Sequence, residues 1–136
     1  MILKSKIFCK GIAYGYNDNF TSEIIDNCVK RNPEVDLFLD GEKEFLKIGK
    51  CKFVKRNTDV WAIAEIDNTS TSIVEIMLEK FKYVAMCPEL YVKYNPIDIH
   101  APIDERCVQT VSINNCILRY SDITSELKPY KVKTVD

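Results

Sequence analysis

The spacing of apolar and polar residues changes period several times along the chain, and those changes mark out its elements. In Val60-Trp61-Ala62-Ile63-Ala64-Glu65-Ile66 nearly every side chain is apolar. The β-branched and aromatic residues there fit a strand buried on one face and partly covered on the other. Such a strand belongs in the middle of a sheet. After Asp67-Asn68-Thr69, the Ser72 to Glu75 spacing matches a capping box and predicts a helix from about Ser72 to Lys82, with Ile73, Ile76, Met77 and Phe81 as its apolar positions. Tyr83 to Cys87 and Leu90 to Tyr94 read as strand again, divided by Pro88. A proline donates no backbone hydrogen bond, so it belongs at an edge, a bulge or a strand break.

The flanking segments follow the same logic. Ile2 to Phe8, continuing through Ile12 to Tyr14, predicts an opening strand, and Gly11 and Gly15 suggest a bulge or a change of direction. Thr21 or Ser22 can cap a short helix whose apolar face is Ile24, Ile25, Cys28 and Val29, with Glu23 near its start, Lys30 and Arg31 near its end, and Asn32-Pro33 as the stop. Val35 to Leu39 and Phe45 to Val54 read as strands joined by the polar turn Asp40-Gly41-Glu42-Lys43. Gly49 inside the second marks a bulge or a close backbone approach. Arg56-Asn57-Thr58-Asp59 then makes a hairpin with the Val60 strand. Beyond the Pro96 and Pro102 loop, Arg106 to Ile113 and Cys116 to Tyr120 predict two short strands joined at Asn114-Asn115.

This order predicts an α+β fold, mainly antiparallel β, forming a small barrel or curled sheet with two accessory helices. Residues 1–120 are expected to form a single β-rich domain, and 121–136 a peripheral C-terminal tail or arm. With 136 residues, 46% of them apolar, one sizeable core is feasible without metals or staples.

Composition narrows the chemistry. A net charge of -1 gives no global attraction for nucleic acid or an anionic membrane. The densest basic group, Lys47, Lys50, Lys52, Lys55 and Arg56, has the alternation of a solvated strand face. The 6 cysteines show no CxxC pair, and no signal peptide precedes them, so reduced and mostly buried thiols in a soluble intracellular setting are expected. No apolar run reaches the roughly 20 residues of a membrane span. Neither a metal nor a cofactor is expected, because zinc sites usually show close ligand pairs and the glycines form no phosphate loop. Asp36, Asp40, Glu42, Glu44, Glu65 and Asp67 form an acidic group whose spacing matches no metal loop. Cys87 is the best formal nucleophile, and His100 is the one imidazole able to serve it. The tyrosines at 14, 16, 91 and 94 suit either the core or a contact surface.

Lys10-Gly11-Ile12-Ala13, Leu37-Phe38-Leu39-Asp40, Ile48-Gly49-Lys50-Cys51, the strand Ala62 to Ile66 and the helix near Ser72 follow one another in a familiar order. That order resembles the head maturation proteases of tailed bacteriophages, over roughly residues 2–120, with Met86-Cys87 near the expected nucleophile segment. Two departures bear on catalysis. Leu39 stands where the family has a histidine before Asp40, and no serine occupies Met86-Cys87-Pro88-Glu89-Leu90. Leucine cannot accept a nucleophile's proton. The resemblance therefore implies an inactive relative: a non-enzymatic structural component of a bacteriophage particle, binding capsid, portal, cargo or itself. Its location would be the virion, with assembly in the host cytoplasm. The alternatives are a head maturation peptidase using Cys87 and His100, or an unrelated intracellular protein-binding module.

Overall fold

Strand β5 (Asp59–Ile66) runs between β1 (Ile2–Cys9) and β4 (Phe45–Arg56), as its apolar run requires. Val60, Ala62, Ala64 and Ile66 face the core and are buried, while Trp61 and Ile63 on the other face are half-buried. The computed structural model describes residues 1–9, 12–13, 22–31, 34–41, 44–57, 59–98, 100–102, 107–121 and 132–135. Expectations placed on Gly11, Tyr14, Gly15, Tyr16, Thr21, Glu42 and most of the tail lie outside these described residues. The remaining strands are β2 (Ile12–Ala13), β3 (Glu34–Asp40), β6 (Tyr83–Tyr94), β7 (Val108–Ser121) and β8 (Lys133–Val135), with helices α1 (Ser22–Arg31) and α2 (Thr71–Lys80).

Among the described residues the strands form one 8-stranded sheet in the order β2-β1-β5-β4-β3-β7-β6, with β8 also beside β1. Every pairing is antiparallel except β3 with β7. The fold is α+β and mainly β, and of the two forms expected it is the curled open sheet, since β6 and β1 are not paired into a barrel. The chain between 121 and 136 contributes to this sheet through β8. Just before β8, the Val132 N–H donates to the Val84 carbonyl at 2.8 Å, so this segment touches both ends of the curl.

The core fills the concave side. Leu3 and Ile7 from β1, Leu37 from β3, Ile48 and Cys51 from β4, Val111 and Leu118 from β7, and Val74 from α2 are all essentially inaccessible. Helix α1 adds Ile25 and Cys28, which confirms the face read from its spacing. Two irregularities set which residues point inward. In β7 the register slips at Asn114, so the inward set passes from Val111 and Ile113 to Cys116 and Leu118. In β4 the register with β3 slips at Ile48, beside Gly49. A Cβ on Gly49 would run into the carbonyl oxygen of Glu65 in β5, so here the glycine serves both a bulge and a close approach. Asn57, with φ 58°, supplies the left-handed position in the β4–β5 hairpin.

Four local expectations are corrected. Helix α2 starts at Thr71 behind Ser70, without a side-chain cap, so Ser72 and Glu75 do not form the capping box. The Thr71 hydroxyl instead donates to the Asp67 carbonyl at 3.3 Å. Met77 is buried as expected, but its companion in the buried stripe of α2 is Val74, whereas Ile73 and Ile76 are 40% and 60% exposed. Finally, Pro88 does not divide β6 and Asn114-Asn115 is no turn. Both strands are continuous, since Pro88 sits in an edge strand and Asn114 is absorbed as a bulge.

Gly49→Ala should lower the midpoint of urea unfolding by the equivalent of about 2 kcal/mol or more, with the slope unchanged, because the colliding atom is backbone held in a paired strand and cannot turn aside.

Candidate functional site

Strand β6 ends the sheet, and its distal half is strictly amphipathic. Glu89, Tyr91 and Lys93 point outward and are exposed, while Leu90, Val92 and Tyr94 alternate with them, half-buried against the core. Both register slips against β7, at Asn114 and near Gln109, put the extra residue in β7. Strand β6 therefore stays regular from Glu89 to Lys93. Among the described residues no strand pairs with the outer edge of that stretch.

The other side of the ribbon is braced. The Arg31 guanidinium at the end of α1 donates to the Val111 carbonyl at 3.2 Å, and Lys55 ties the same helix to β4 through Asp26 at 2.7 Å. The far end is clipped by Asn95 N–H donating to the Cys107 carbonyl at 2.9 Å and Cys107 N–H donating to Asp98 Oδ2 at 3.2 Å. Beyond the clip, Ile97 is 87% exposed, and Tyr91 on the ribbon is 63% exposed. Other exposed apolar residues, Phe45, Leu46, Ile73 and Ile76, lie on the β3–β4 hairpin and on α2. The ribbon is where exposed apolar surface coincides with unused backbone hydrogen-bonding capacity.

Three lysines of the basic group seen in the sequence are paired with acids on the convex face. Lys50 and Lys52 both reach Glu34, at 3.6 and 3.8 Å, and Lys47 reaches Asp36 at 3.3 Å. Lys55, opposite Val60 on the core-facing side of β4, is held by Asp26 of α1, and Arg56 stands across from Asp59, whose carboxylate lies 3.3 Å from Lys6. Lys4 lies over the Trp61 ring at 5.9 Å. A groove of about 370 Å³ runs across this face, between Ile2, Ile63, Lys50 and Asn68. Its charges alternate in sign across neighbouring strands, which suits a solvated sheet face better than a phosphate-binding surface.

The residues with formal chemical potential are scattered. Cys87 is buried in β6, its thiol 4.0 Å from the Ala85 carbonyl. His100 is exposed in the connection past Tyr94, and extended backbone at about 3.3 Å per residue puts the end of β6 roughly 20 Å from Cys87. The structure does not bring the two together. Leu39 is buried in the core, only 7% exposed, and the neighbouring Asp40 is half-buried at the end of β3. Asp36 serves Lys47, while Glu44, Glu65 and Asp67 are exposed on separate strands and connections. No group of three or more histidine, cysteine or acidic residues among the described residues is arranged to hold a metal ion.

No disulfide joins the cysteines at 28, 51, 87, 107 and 116, and all of these except Cys107 are buried. Burial pushes the Cys28 thiol up from 9.0 to about 11, against the smaller pull of Arg31. Cys116 is raised further by burial, by its hydrogen bond with Cys51 and by the nearby Cys51 and Cys87 thiols. Exposed Cys107 is raised by its hydrogen bond to Asp98 and that carboxylate's charge. High thiol pKa values leave little thiolate, so these are poor nucleophiles at neutral pH.

The sequence carried the signal for the ribbon in the alternation from Glu89 to Tyr94, but Pro88 concealed that this stretch continues the preceding strand. The chain matches no protein-family model, no curated protein and no solved structure.

Two measurements follow from the thiols. Folding keeps the proton on Cys28 where the unfolded chain has lost it, so its contribution is fully present below pH 9.0 and is lost as the pH rises towards about 11. Urea midpoints should fall over that window, and fall less steeply in Cys28→Ala. Iodoacetamide at pH 8 should label Cys107 faster in Asp98→Asn than in the native chain, since removing the carboxylate charge raises the thiolate fraction.

Proposed function

We propose that this chain is a non-enzymatic structural protein that works by holding other protein chains against an open sheet edge. The observation that carries the reading is the outer edge of β6 from Glu89 to Lys93, regular, unpaired among the described residues, with exposed Tyr91 at its centre and exposed Ile97 beyond its end. An edge of this kind offers a row of backbone donors and acceptors to an added strand, with alternate side chains giving specificity. In the setting that the resemblance to phage head maturation proteases implies, the bound chains are capsid, portal or cargo proteins, or further copies of this one, in the virion after assembly in the host cytoplasm.

The rest of the molecule is consistent with a scaffold. Leu39, which the resemblance sets at the family's histidine position, is buried and spends its side chain on core packing. Cys87 is buried, with His100 at the far end of the ribbon. Acyl transfer needs a nucleophile, a base and an oxyanion site within hydrogen-bond reach of one reacting carbonyl, and these residues do not converge.

Particles purified from an infected host should contain this chain in fixed ratio to the capsid protein. Its absence from the particle would remove the proposal. Cys87→Ala should leave cleavage of a co-expressed capsid or scaffold protein unchanged, and loss of processing in that variant would restore the peptidase reading.

A further inference from the structure

We propose that the open edge of β6 pairs with the same edge of a second copy, antiparallel and centred on Tyr91. This rests on the interaction reading above and names the partner and the register. In an antiparallel pair, residues directly opposite share a face, so a two-fold axis through Tyr91 sets Tyr91 against Tyr91, Leu90 against Val92 and Glu89 against Lys93. Each match joins like with like. Leu90 and Val92 both lie on the core side, half-buried, whereas Glu89, Tyr91 and Lys93 all lie on the exposed side.

Charge selects this register. Within one chain Glu89 and Lys93 stand about 13 Å apart along the strand, too far to meet. Across the two-fold axis each faces the other's partner at cross-strand distance, giving two ion pairs symmetric about a stacked tyrosine pair. Sliding the register by one residue would set Leu90 against Lys93, an inward side chain against an outward one. An edge guarded against pairing usually carries like or inward-pointing charge, and this edge carries opposite charges balanced about its centre.

The boundaries agree. Pro88 has no N–H to offer, so the added ladder ends at Glu89, and symmetry ends it at Lys93 of the other copy. Over that stretch β6 contains no bulge of its own. Pairing would cover Tyr91, which is 63% exposed in the single chain. So short a ladder makes a weak, concentration-dependent dimer, suited to assembly on a surface that already concentrates the chain.

The test is sedimentation equilibrium on the full chain from micromolar to millimolar concentration, with Glu89→Lys, Lys93→Glu and an equimolar mixture of the two variants. The native chain should dimerise reversibly. Each variant alone sets like charges opposite each other twice, and should weaken association by about tenfold or more. The mixture should dimerise again, because a Glu89→Lys chain meets a Lys93→Glu chain with opposite charges at both positions. Both side chains are exposed, and circular dichroism should show the native fold throughout. A native chain that stays monomeric, variants that associate as well as the native chain, or a mixture that stays apart would overturn the pairing. If the native chain is monomeric but Glu89→Lys is lost from particles, the edge belongs to a different protein and the wider reading survives. If neither variant affects particle association and the native chain is monomeric, both readings lose this edge.

Discussion

The core of this protein depends on a close backbone approach between β4 and β5 in the middle of its sheet. Gly49 lets the β4 backbone lie against the Glu65 carbonyl, a position that a side chain would occupy in any other residue. The Ile48 slip beside it adds local twist and turns Ile48 inward, where it is completely buried. Residues from β1, β3, β4, β5 and β7 converge on one interior, to which α1 and α2 add side chains. A flat sheet with the same alternation would leave those helices without a shared core.

A curled sheet that stops short of closure has ends, and the chain treats its two ends differently. Near β1 the edge is covered by β2 and β8, and Val132 reaches across to β6. Further along β6 the edge from Glu89 to Lys93 has no such cover among the described residues. The difference is built into the ribbon: both extra residues lie in β7, on the side braced by α1, so distortion is taken up there and β6 is left straight. Irregular edges resist the addition of strands, whereas regular ones invite it. The functional reading follows from this asymmetry.

The same economy governs the polar and reactive groups. Lysines on the convex face are matched by acids on neighbouring strands, so the face carries many charges and little net field. Cys28 and Cys116 sit where burial raises their pKa, and they contribute volume to the core instead of nucleophilicity. Leu39 and Cys87 are buried and spend their side chains on packing, whereas Tyr91 is exposed on the ribbon and Ile97 beyond its end.

Much of this was legible in the residues themselves. The apolar run of β5 fixed it as a central strand, because only a strand between two neighbours keeps such a run from water. The face of α1, the β4–β5 hairpin and the special role of Gly49 followed from period, turn chemistry and the cost of glycine in a strand. The sequence by itself also carried the alternation of Glu89 to Tyr94. What it could not decide was anything resting on partners distant along the chain. Whether Pro88 broke a strand or lay in one depended on β6 being last in the sheet, and whether Asn114-Asn115 turned depended on β7 finding β3 in parallel at Cys116 to Leu118. Ile73 and Ile76 fit a helix stripe as well as Val74 and Met77 do, and only the packing of α2 on the shared core settled which stripe was buried. Local patterns state what each segment can bury, and the long-range pairings decide which edge remains.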